Sequence, residues 1–377
     1  MQLVCPRAVL SAAFTVVGAV VPSRTPREIL KNVKLDAVAS GPGATSSAQL
    51  TGTDGDGTSI RFDLTDVECK VGGSALLPTQ RLTSILRELT DDTVSLEVNG
   101  DAVWLRCGGS EFRLSAEDPA DFPTAPEFVE EDYFVVPADV FRRLIKRTLF
   151  ATDAESTRYA LGGVLVEITA DQVRMAATDS RRLAVAVGAC SVEGQPVSGS
   201  QQPVVPSKAM SLIEKSLGDE ATNVCLAIHT NDISIRAGRA SITTQLVQGR
   251  FPDYRKVIPA RYEAEIDLVA STFLSAVRQS QVVTNEESRG VDFTFAEGTL
   301  RLASKAADIG QSKIELPIGY QGSELTIRFD PRFVGDFLRV LEGSSTVHLK
   351  LINDESPGVF TTDDDYTYVI MPLSRDS

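Results

Sequence analysis

Residues 136–150, VPADVFRRLIKRTLF, join the end of a β-type run to an amphipathic helix through a proline and an acid. The same order of run, helix start and apolar helix occurs at Cys5–Leu10 and, less closely, at Leu268–Phe273. These three positions lie roughly one third of the chain apart. Repetition at so long a period indicates one structural unit that is used several times.

A second set of helix starts recurs at a similar spacing, at Leu77–Gln80, Val205–Lys208 and Phe329–Arg332. Together with residues 136–150, the pattern predicts helices over 79–89, 207–217, 271–281 and 330–341. Good N-cap residues stand at their starts, namely Thr79, Ser207, Ser271 and Asp330. Short alternating runs between the helices predict antiparallel strands. Each third therefore contains two helices and several strands, which predicts an α+β fold of three tandem similar domains.

Clusters of aromatic, acidic and proline residues end the first two thirds. Asp121–Pro126 closes the first, and Gly249–Tyr254 closes the second with the same Phe-Pro pair. The predicted domains are residues 1–127, 128–255 and 256–377.

Composition favours an ordinary globular protein of the cytoplasm. The 377 residues suit two or three domains. The cysteines are scattered without CxxC spacing, so neither a disulfide framework nor a zinc site is indicated; they are Cys5, Cys69, Cys107, Cys190 and Cys225. A reducing, cytoplasmic location follows. His229 and His348 lie in strand-like runs, where a structural role is expected, and no cofactor or metal ion is indicated.

The apolar run from Val9 to Val21 follows Arg7 and has two interpretations. It resembles a signal peptide, but its positive region is thin and Pro6 is awkwardly placed. It also matches the helix at 136–150, which is internal, so a first-domain helix is favoured. No apolar stretch is long enough for a membrane span.

Charge is distributed unevenly. The chain has a formal net charge of −14, which should repel nucleic acid on average. The outer thirds are acidic, whereas the middle third is close to neutral. Arg142, Arg143, Lys146 and Arg147 form a basic face opposite the apolar stripe of the 136–150 helix. This face is either a solvated surface or a phosphate-facing surface.

Enzyme signatures are absent from the sequence. It contains no G-x-S-x-G, no P-loop and no dinucleotide-binding glycine pattern. Gly52–Gly57 lacks the closing glutamate of a calcium loop, so a β-turn is favoured. Asp363–Asp365 is interpreted as an exposed acidic turn before the last strand, although cation binding is an alternative.

Four segments resemble the bacterial DNA polymerase III β subunit, the sliding clamp, in order along the whole chain. They are Arg158–Gly163, Thr178–Ala184, Gly249–Pro259 and Tyr368–Leu373. The resemblance implies the DNA clamp fold, in which a head-to-tail homodimer closes a ring around duplex DNA. Helices line the hole and antiparallel sheets form the outside. It implies a non-catalytic processivity factor for DNA replication.

The resemblance also implies contact with duplex DNA without base specificity. Arg24 and Tyr159 match DNA-contacting positions of the family. Together with the basic face, the implied set is Arg24, Arg142, Arg143, Lys146, Arg147 and Tyr159. An alternative for Arg24 is a plain loop residue.

A protein-binding pocket is implied between the middle and last domains. Its partners would be peptides of the polymerase III catalytic subunit, the clamp loader, and other polymerases and repair proteins. Apolar side chains and an adaptable Met suit a Leu- or Phe-bearing peptide, and Arg182 and Thr178 are expected to bond its backbone. The implied lining is Leu161, Thr178, Ser180, Arg181, Arg182, Leu183, Pro252, Lys256, Val257, Val369, Met371, Pro372 and Leu373. Ordinary strand-end packing is the alternative for Val257 and Leu183.

The chain also departs from the family pattern. Ser180-Arg181 stands where the family commonly has Gly-His, and Leu373 stands where it frequently has Met. Glu111 stands where a basic residue is common. Peptide preference and ionic pairing at the dimer contact are therefore open. Phe112, Val282 and Val283 match dimer-interface positions, with internal packing as the alternative.

The principal hypothesis is thus a clamp that works without a membrane and without catalysis. An exported hydrolase and a β-rich scaffold that never meets DNA are the alternatives. The missing catalytic constellation opposes the hydrolase, and the basic helix and terminal Met-Pro oppose the scaffold.

Overall fold

The structure is a computed structural model and describes residues 1–39, 46–153, 160–195, 201–218, 221–285, 289–306 and 309–374. The described part contains six α-helices, two for each third of the chain, as the repeat predicts. They are α1 (Arg7–Val17), α2 (Thr79–Glu88), α3 (Ala138–Thr148), α4 (Ser207–Ser216), α5 (Ala270–Gln281) and α6 (Pro331–Arg339).

Helix starts follow the predicted chemistry only at α6. Asp330 caps it, because its carboxylate accepts a bond from the Arg332 N–H at 3.0 Å, and Pro331 takes the first helical position. Thr79, Ser207 and Ser271 are not N-caps, since each lies within its helix. A strand runs directly into each of these helices. In α5 the first N–H groups bond to the carbonyls of Ser345 and Gly343, so no side-chain cap is required.

The strands of the first third are β1 (Gln2–Pro6), β2 (Asn32–Val38), β3 (Ser47–Thr53), β4 (Thr58–Leu64), β5 (Glu68–Val71), β6 (Gly73–Pro78), β7 (Thr93–Asn99), β8 (Ala102–Cys107) and β9 (Ser110–Ser115). The middle third contributes β10 (Tyr133–Pro137), β11 (Gly163–Ile168), β12 (Gln172–Thr178), β13 (Arg182–Ala189), β14 (Ser191–Glu193), β15 (Val204–Pro206), β16 (Asn223–Ile228), β17 (Asp232–Ala237) and β18 (Ala240–Gln245). The last third contributes β19 (Ala264–Val269), β20 (Val291–Ala296), β21 (Thr299–Ala306), β22 (Gly310–Pro317), β23 (Leu325–Phe329), β24 (Thr346–Leu351), β25 (Gly358–Thr361) and β26 (Thr367–Ile370).

The first compact unit comprises Met1–Arg142, Cys190–Gly199 and Lys208–Leu246. It holds a five-stranded sheet, β5-β1-β7-β8-β9, and a nine-stranded sheet, β14-β10-β16-β17-β18-β4-β3-β2-β6. In the larger sheet, strands of the first third are joined to strands of the middle third through the antiparallel pair β4 and β18. Helices α1 and α2 pack against each other, and α1 covers β3 and β4.

The second compact unit comprises Arg143–Ala189, Ser200–Ser207 and Val247–Ser377. Its eight-stranded sheet has the order β15-β11-β12-β13-β26-β25-β24-β19, and its four-stranded sheet the order β22-β21-β20-β23. The pair β13 and β26 places Leu183 opposite Val369. Each sheet of the middle third is thus completed by strands of a neighbouring third. The predicted domain limits at 127 and 255 stay a prediction about the sequence repeat.

The core of the second unit is rich in aromatic rings. Phe337 of α6 stacks on Tyr368 with ring centroids 5.0 Å apart and also contacts Tyr366 and Phe360. These side chains are fully buried, and such ring pairs add to the free energy of burial. No helix within the described ranges combines the length and apolar character needed to cross a membrane.

The two acidic segments singled out in the sequence form turns that are tied down locally. Asp54 closes the β3–β4 hairpin, because its carboxylate accepts bonds from the N–H groups of Asp56 and Thr58. Asp363 and Asp364 are engaged by His348 and Arg147. His229 lies just after β16, rather than in a strand, and contacts Glu130 and Asp232.

His348 is expected to make the stability of the second unit pH-dependent. Its ring lies 2.7 Å from Asp267 and 3.0 Å from Asp363, and these bonds raise its pKa above the ordinary value of about 6.5. The stabilisation is therefore complete below about pH 6.5 and is lost as the pH rises through the higher folded-state pKa. Thermal melting of the wild type and of His348→Gln from pH 5 to 9 should show a difference in stability that shrinks as the pH rises.

Asp363→Asn is the matched variant, because it removes one negative charge beside the ring and leaves the imidazole in place. It should reduce the pH dependence without abolishing it. A gap between the wild type and His348→Gln that stays constant from pH 5 to 9 would contradict the prediction.

Candidate functional site

An apolar groove of about 420 Å³ opens on the second unit. It collects residues from three separate segments of the chain. The eight-stranded sheet pairs two of them, and the third, at residues 252–257, packs against the same apolar cluster. Leu183 of β13 and Val369 of β26 form its floor as a cross-strand pair. The lining residues are Thr178, Ser180, Arg181, Arg182, Leu183, Pro252, Asp253, Tyr254, Val257, Val369 and Met371.

Several predicted pocket residues do not line this groove. Leu161 is buried, and Lys256 is exposed and forms a 3.0 Å ion pair with Asp253. Pro372 and Leu373 follow the lining residue Met371, and the Leu373 N–H bonds to the Arg328 carbonyl at 2.8 Å. Asp253 and Tyr254 were missed as lining residues, although both stand inside the Gly249–Pro259 segment that drew attention to the region.

Arg182 and Thr178 have a different role from the expected one. The Arg182 guanidinium donates to Asp179, Asp336 and the Phe150 carbonyl at 2.7–2.9 Å, and it lies 4.4 Å from the Phe333 ring. The Thr178 hydroxyl donates to the Arg182 carbonyl at 2.6 Å.

These bonds engage the Thr178 hydroxyl proton and each of the three guanidinium nitrogens of Arg182, the groups that were expected to bind a peptide backbone. Burial alone would lower the pKa of Arg182, but Tyr368 and Asp336 raise it above its ordinary value. Arg182 and Thr178 therefore hold the groove wall in shape.

Tyr254 is held in place by a buried carboxylate. Its hydroxyl donates to Glu167 of β11 at 2.6 Å, and Arg255 donates to the same carboxylate at 2.7 and 2.9 Å. Burial, followed by the bond to Glu167, raises the pKa of Tyr254 to about 12, so the phenol remains a donor at neutral pH. The residue Glu167 carries no local sequence signal, because both of its main partners are distant in the chain.

Ser180 occupies a left-handed backbone conformation, with φ of 73°. A residue with a Cβ atom is strained there, whereas glycine is not. The strain is stored in the loop that forms one wall of the groove.

Ser180→Gly is expected to stabilise the second unit by about 0.5–1 kcal/mol, because relief of strain exceeds the added freedom of the unfolded chain. The melting midpoint should rise by about 1–3 °C. Ser180→Ala keeps the Cβ atom and should give no gain. A lower midpoint for the glycine variant would show that the loop is not strained.

The basic face of α3 is smaller than the sequence suggested. Arg143 and Lys146 are exposed. Arg142 is half-buried and donates to the Leu217 and Gly218 carbonyls, so it caps the end of α4. Arg147 contradicts the prediction, since it is 8% exposed and its guanidinium lies 2.8 Å from Asp364 and 4.9 Å from the Tyr366 ring.

The remaining predicted contact residues lie elsewhere. Arg24 is exposed in the loop after α1. Tyr159 lies outside the described residues. Phe112 is half-buried on β9, an edge strand of the five-stranded sheet. Val282 is 76% exposed at the end of α5, and Val283 beside it is half-buried.

Sequence profiles of the DNA polymerase III beta subunit match the chain three times in succession. The N-terminal domain profile covers residues 1–126, the central domain profile 135–253 and the C-terminal domain profile 255–374. Together these matches account for almost the whole chain, in the order that the family has.

Full-length relatives and solved structures agree with these matches. The beta sliding clamp of Chlamydia pneumoniae is 28% identical over 376 residues, with 99% of each chain covered. The Pseudomonas aeruginosa clamp is 29% identical over 378 residues, which cover 99% of this chain and 100% of that one. The Bacillus subtilis sliding clamp structure has a TM-score of 0.87 at 26% identity, and a Pseudomonas aeruginosa clamp bound to griselimycin has 0.86 at 27%, each with 99% of both chains covered. This chain therefore belongs to the DNA polymerase III beta subunit family, the bacterial sliding clamps of DNA replication.

Proposed function

We propose that two copies of this non-catalytic processivity clamp join head to tail and enclose duplex DNA. The observation that carries the proposal is the uninterrupted match of three clamp domains along one chain. The ring tethers the polymerase III catalytic subunit to the template, and a clamp loader opens and closes it. Other polymerases and repair proteins exchange on the same surface.

The dimer contact is proposed to join the edge strands β9 and β22. Each is the last strand of its sheet and presents unpaired backbone groups that favour strand addition. Phe112 lies on β9, and Val282 ends α5, which packs against β22. Glu111 is already paired with Arg106 at 2.6 Å within its own sheet. The seam therefore relies on apolar side chains and strand pairing at these positions.

Contact with DNA is proposed for Arg143 and Lys146 of α3 and for Arg24. All three are exposed cations on a chain of net charge −14. Their attraction to phosphates is independent of sequence and falls with salt. Weak contacts of this kind suit a ring, because enclosure rather than affinity retains the DNA. Tyr159 stays a further proposed contact.

The apolar groove is proposed as the docking site for peptide segments of the polymerase, the loader and repair proteins. Leu183, Val257 and Met371 supply an apolar surface, and Val257 and Met371 are 47% and 43% exposed. Exposed apolar side chains that line one cavity indicate a protein-binding site. The flexible thioether of Met371 lets one groove accept several side chains.

The topological proposal predicts retention on closed DNA only. Clamps placed on a nicked circular plasmid by the cognate loader should stay bound at about 1 M salt, where phosphate attraction is screened. Cutting the plasmid with a restriction enzyme should release them, and bulky blocks on both ends should prevent the release. Sedimentation should give twice the chain mass of 40.6 kDa.

Equal retention on circular and linear DNA would overturn the enclosure. A monomer at micromolar concentration would overturn the dimeric ring.

A further inference from the structure

Arg181 stands where two cavities meet on the second unit. It lines the apolar groove, and it also lines a polar cleft of about 500 Å³. Among the residues that the structure describes, no other is shared by the linings of these two cavities. A peptide that fills the groove and continues along the surface toward the cleft therefore passes the Arg181 side chain.

The backbone of Arg181 is fixed while its side chain is exposed. Its N–H donates to the Asp179 carboxylate at 3.0 Å, and its carbonyl accepts from the Met371 N–H at 2.9 Å. The guanidinium forms no salt bridge with any residue that the structure describes. A cation whose backbone is held by hydrogen bonds at the edge of a groove is well placed to recognise one charged group of a bound ligand.

The acids that line the two cavities have other partners, and this includes Asp153 of the cleft. Asp179 and Asp336 both bind Arg182, and Asp336 also binds Arg339. In the groove, Asp253 pairs with Lys256, and this bond holds the pKa of Asp253 below its ordinary value. In the cleft, Arg332 is bound to Asp330 at 2.7 Å. The charge of Arg181 is thus available to a ligand.

We propose that Arg181 selects docking peptides that carry a carboxylate next to their apolar residues. This inference rests on the proposed peptide-binding function of the groove and adds its charge preference. Arginine binds carboxylates through two parallel hydrogen bonds, which fixes orientation as well as charge. The carboxylate is either an Asp or Glu side chain or the free C-terminus of the partner. Both present the same group.

The test uses dye-labelled peptides with one Leu- and Phe-containing core in three forms. The first has Asp beside the core and an amidated end, the second has Asn and an amidated end, and the third has Asn and a free carboxylate after the core. The two acidic forms distinguish the two sources of the carboxylate. Fluorescence anisotropy at about 50 mM salt should show at least one acidic form binding the wild type about tenfold more tightly than the neutral form.

Arg181→Gln should remove this preference, so that the acidic and neutral peptides bind the variant with equal affinity. Arg261→Gln is the matched control, because it removes one exposed cation of the same unit that does not line the groove, and it should preserve the preference. Arg181→Lys should retain part of it, since charge remains but the paired bonds are lost. Equal binding of all three peptides to the wild type, or an equal loss in Arg261→Gln and Arg181→Gln, would overturn the inference.

A further variant distinguishes a failure of the proposed docking function from a failure of the role proposed for Arg181. Val257→Asp places a charge on an exposed position of the apolar wall and should weaken all three peptides. If the neutral peptide binds this variant as well as it binds the wild type, the proposed docking function is wrong. If Val257→Asp weakens binding but the wild type shows no preference for acidic peptides, the docking function is supported and the role proposed for Arg181 is wrong.

Discussion

Glu167→Ala is expected to destabilise the second unit by about 3 kcal/mol and to weaken peptide binding at the groove. The Glu167 carboxylate is 7% exposed and accepts bonds from Tyr254 and Arg255. Its removal leaves a buried phenol without an acceptor and a guanidinium without its partner, and such losses cost more than the bond itself contributes. Tyr254 lines the groove, so loss of its anchor disturbs the binding wall.

Two variants separate the parts of this network. Tyr254→Phe keeps the ring and the Glu167–Arg255 pair, so it should cost only about 1 kcal/mol. Glu167→Gln keeps an acceptor for Tyr254 and loses the ion pair, so it should fall between the two. Thermal melting and peptide anisotropy measure both consequences. An alanine variant that melts with the wild type and binds peptide normally would contradict the proposed anchor.

Charge reversal on α3 is expected to have different effects at buried and exposed positions. Arg147→Glu should lower stability by about 3–5 kcal/mol, because it places a second carboxylate beside Asp364 in a buried site. It also removes the cation above the Tyr366 ring, while the Tyr366 hydroxyl still bonds to the backbone carbonyl of residue 147. A loss of DNA binding in this variant would thus reflect unfolding.

The matched variant is Arg143→Glu with Lys146→Glu, two exposed positions on the same helix. It should melt like the wild type and bind duplex DNA more weakly. The salt dependence of log K should fall by about 0.9 for each phosphate contact that is lost. Anisotropy with a labelled duplex over a salt series measures this slope. A marked drop in melting midpoint, or an unchanged slope, would contradict the assignment of these two cations to DNA.

Local patterns were sufficient to predict the helices, whereas the groove residues came from the resemblance to the clamp family. The apolar spacing in α3 and the repeated helix starts require only neighbouring residues, and the corresponding helices are present. Helix caps were predicted less well, at Ser271 for example. The N–H groups there bond to the carbonyls of Ser345 and Gly343, which are more than 70 positions away. Capping by a distant backbone leaves no mark on the local sequence.

Assignments of individual arginines depended on the fold. Arg143 and Arg147 look equivalent in the run RRLIKR, yet one is exposed and the other is paired with Asp364. Arg182 was expected to bind a ligand, but each of its guanidinium nitrogens already donates within the chain, to Asp179, Asp336 and the Phe150 carbonyl. A cation carries the same sequence signal in either case, because only the position of distant acids decides whether its donors are free.

The order of residues alone predicted a threefold α+β repeat, and its short motifs carried the resemblance to the clamp family that implied the segments of the groove, because periodicity and motifs are local properties. The tertiary structure decided how those segments act. Pairing of β13 with β26 places Leu183 against Val369, and the Glu167–Tyr254 bond holds the opposite wall. It also left Arg181 exposed where two cavities meet. Contacts between residues far apart in the chain determine burial and hydrogen bonding, and these in turn separate the side chains that build the groove from those available to a partner.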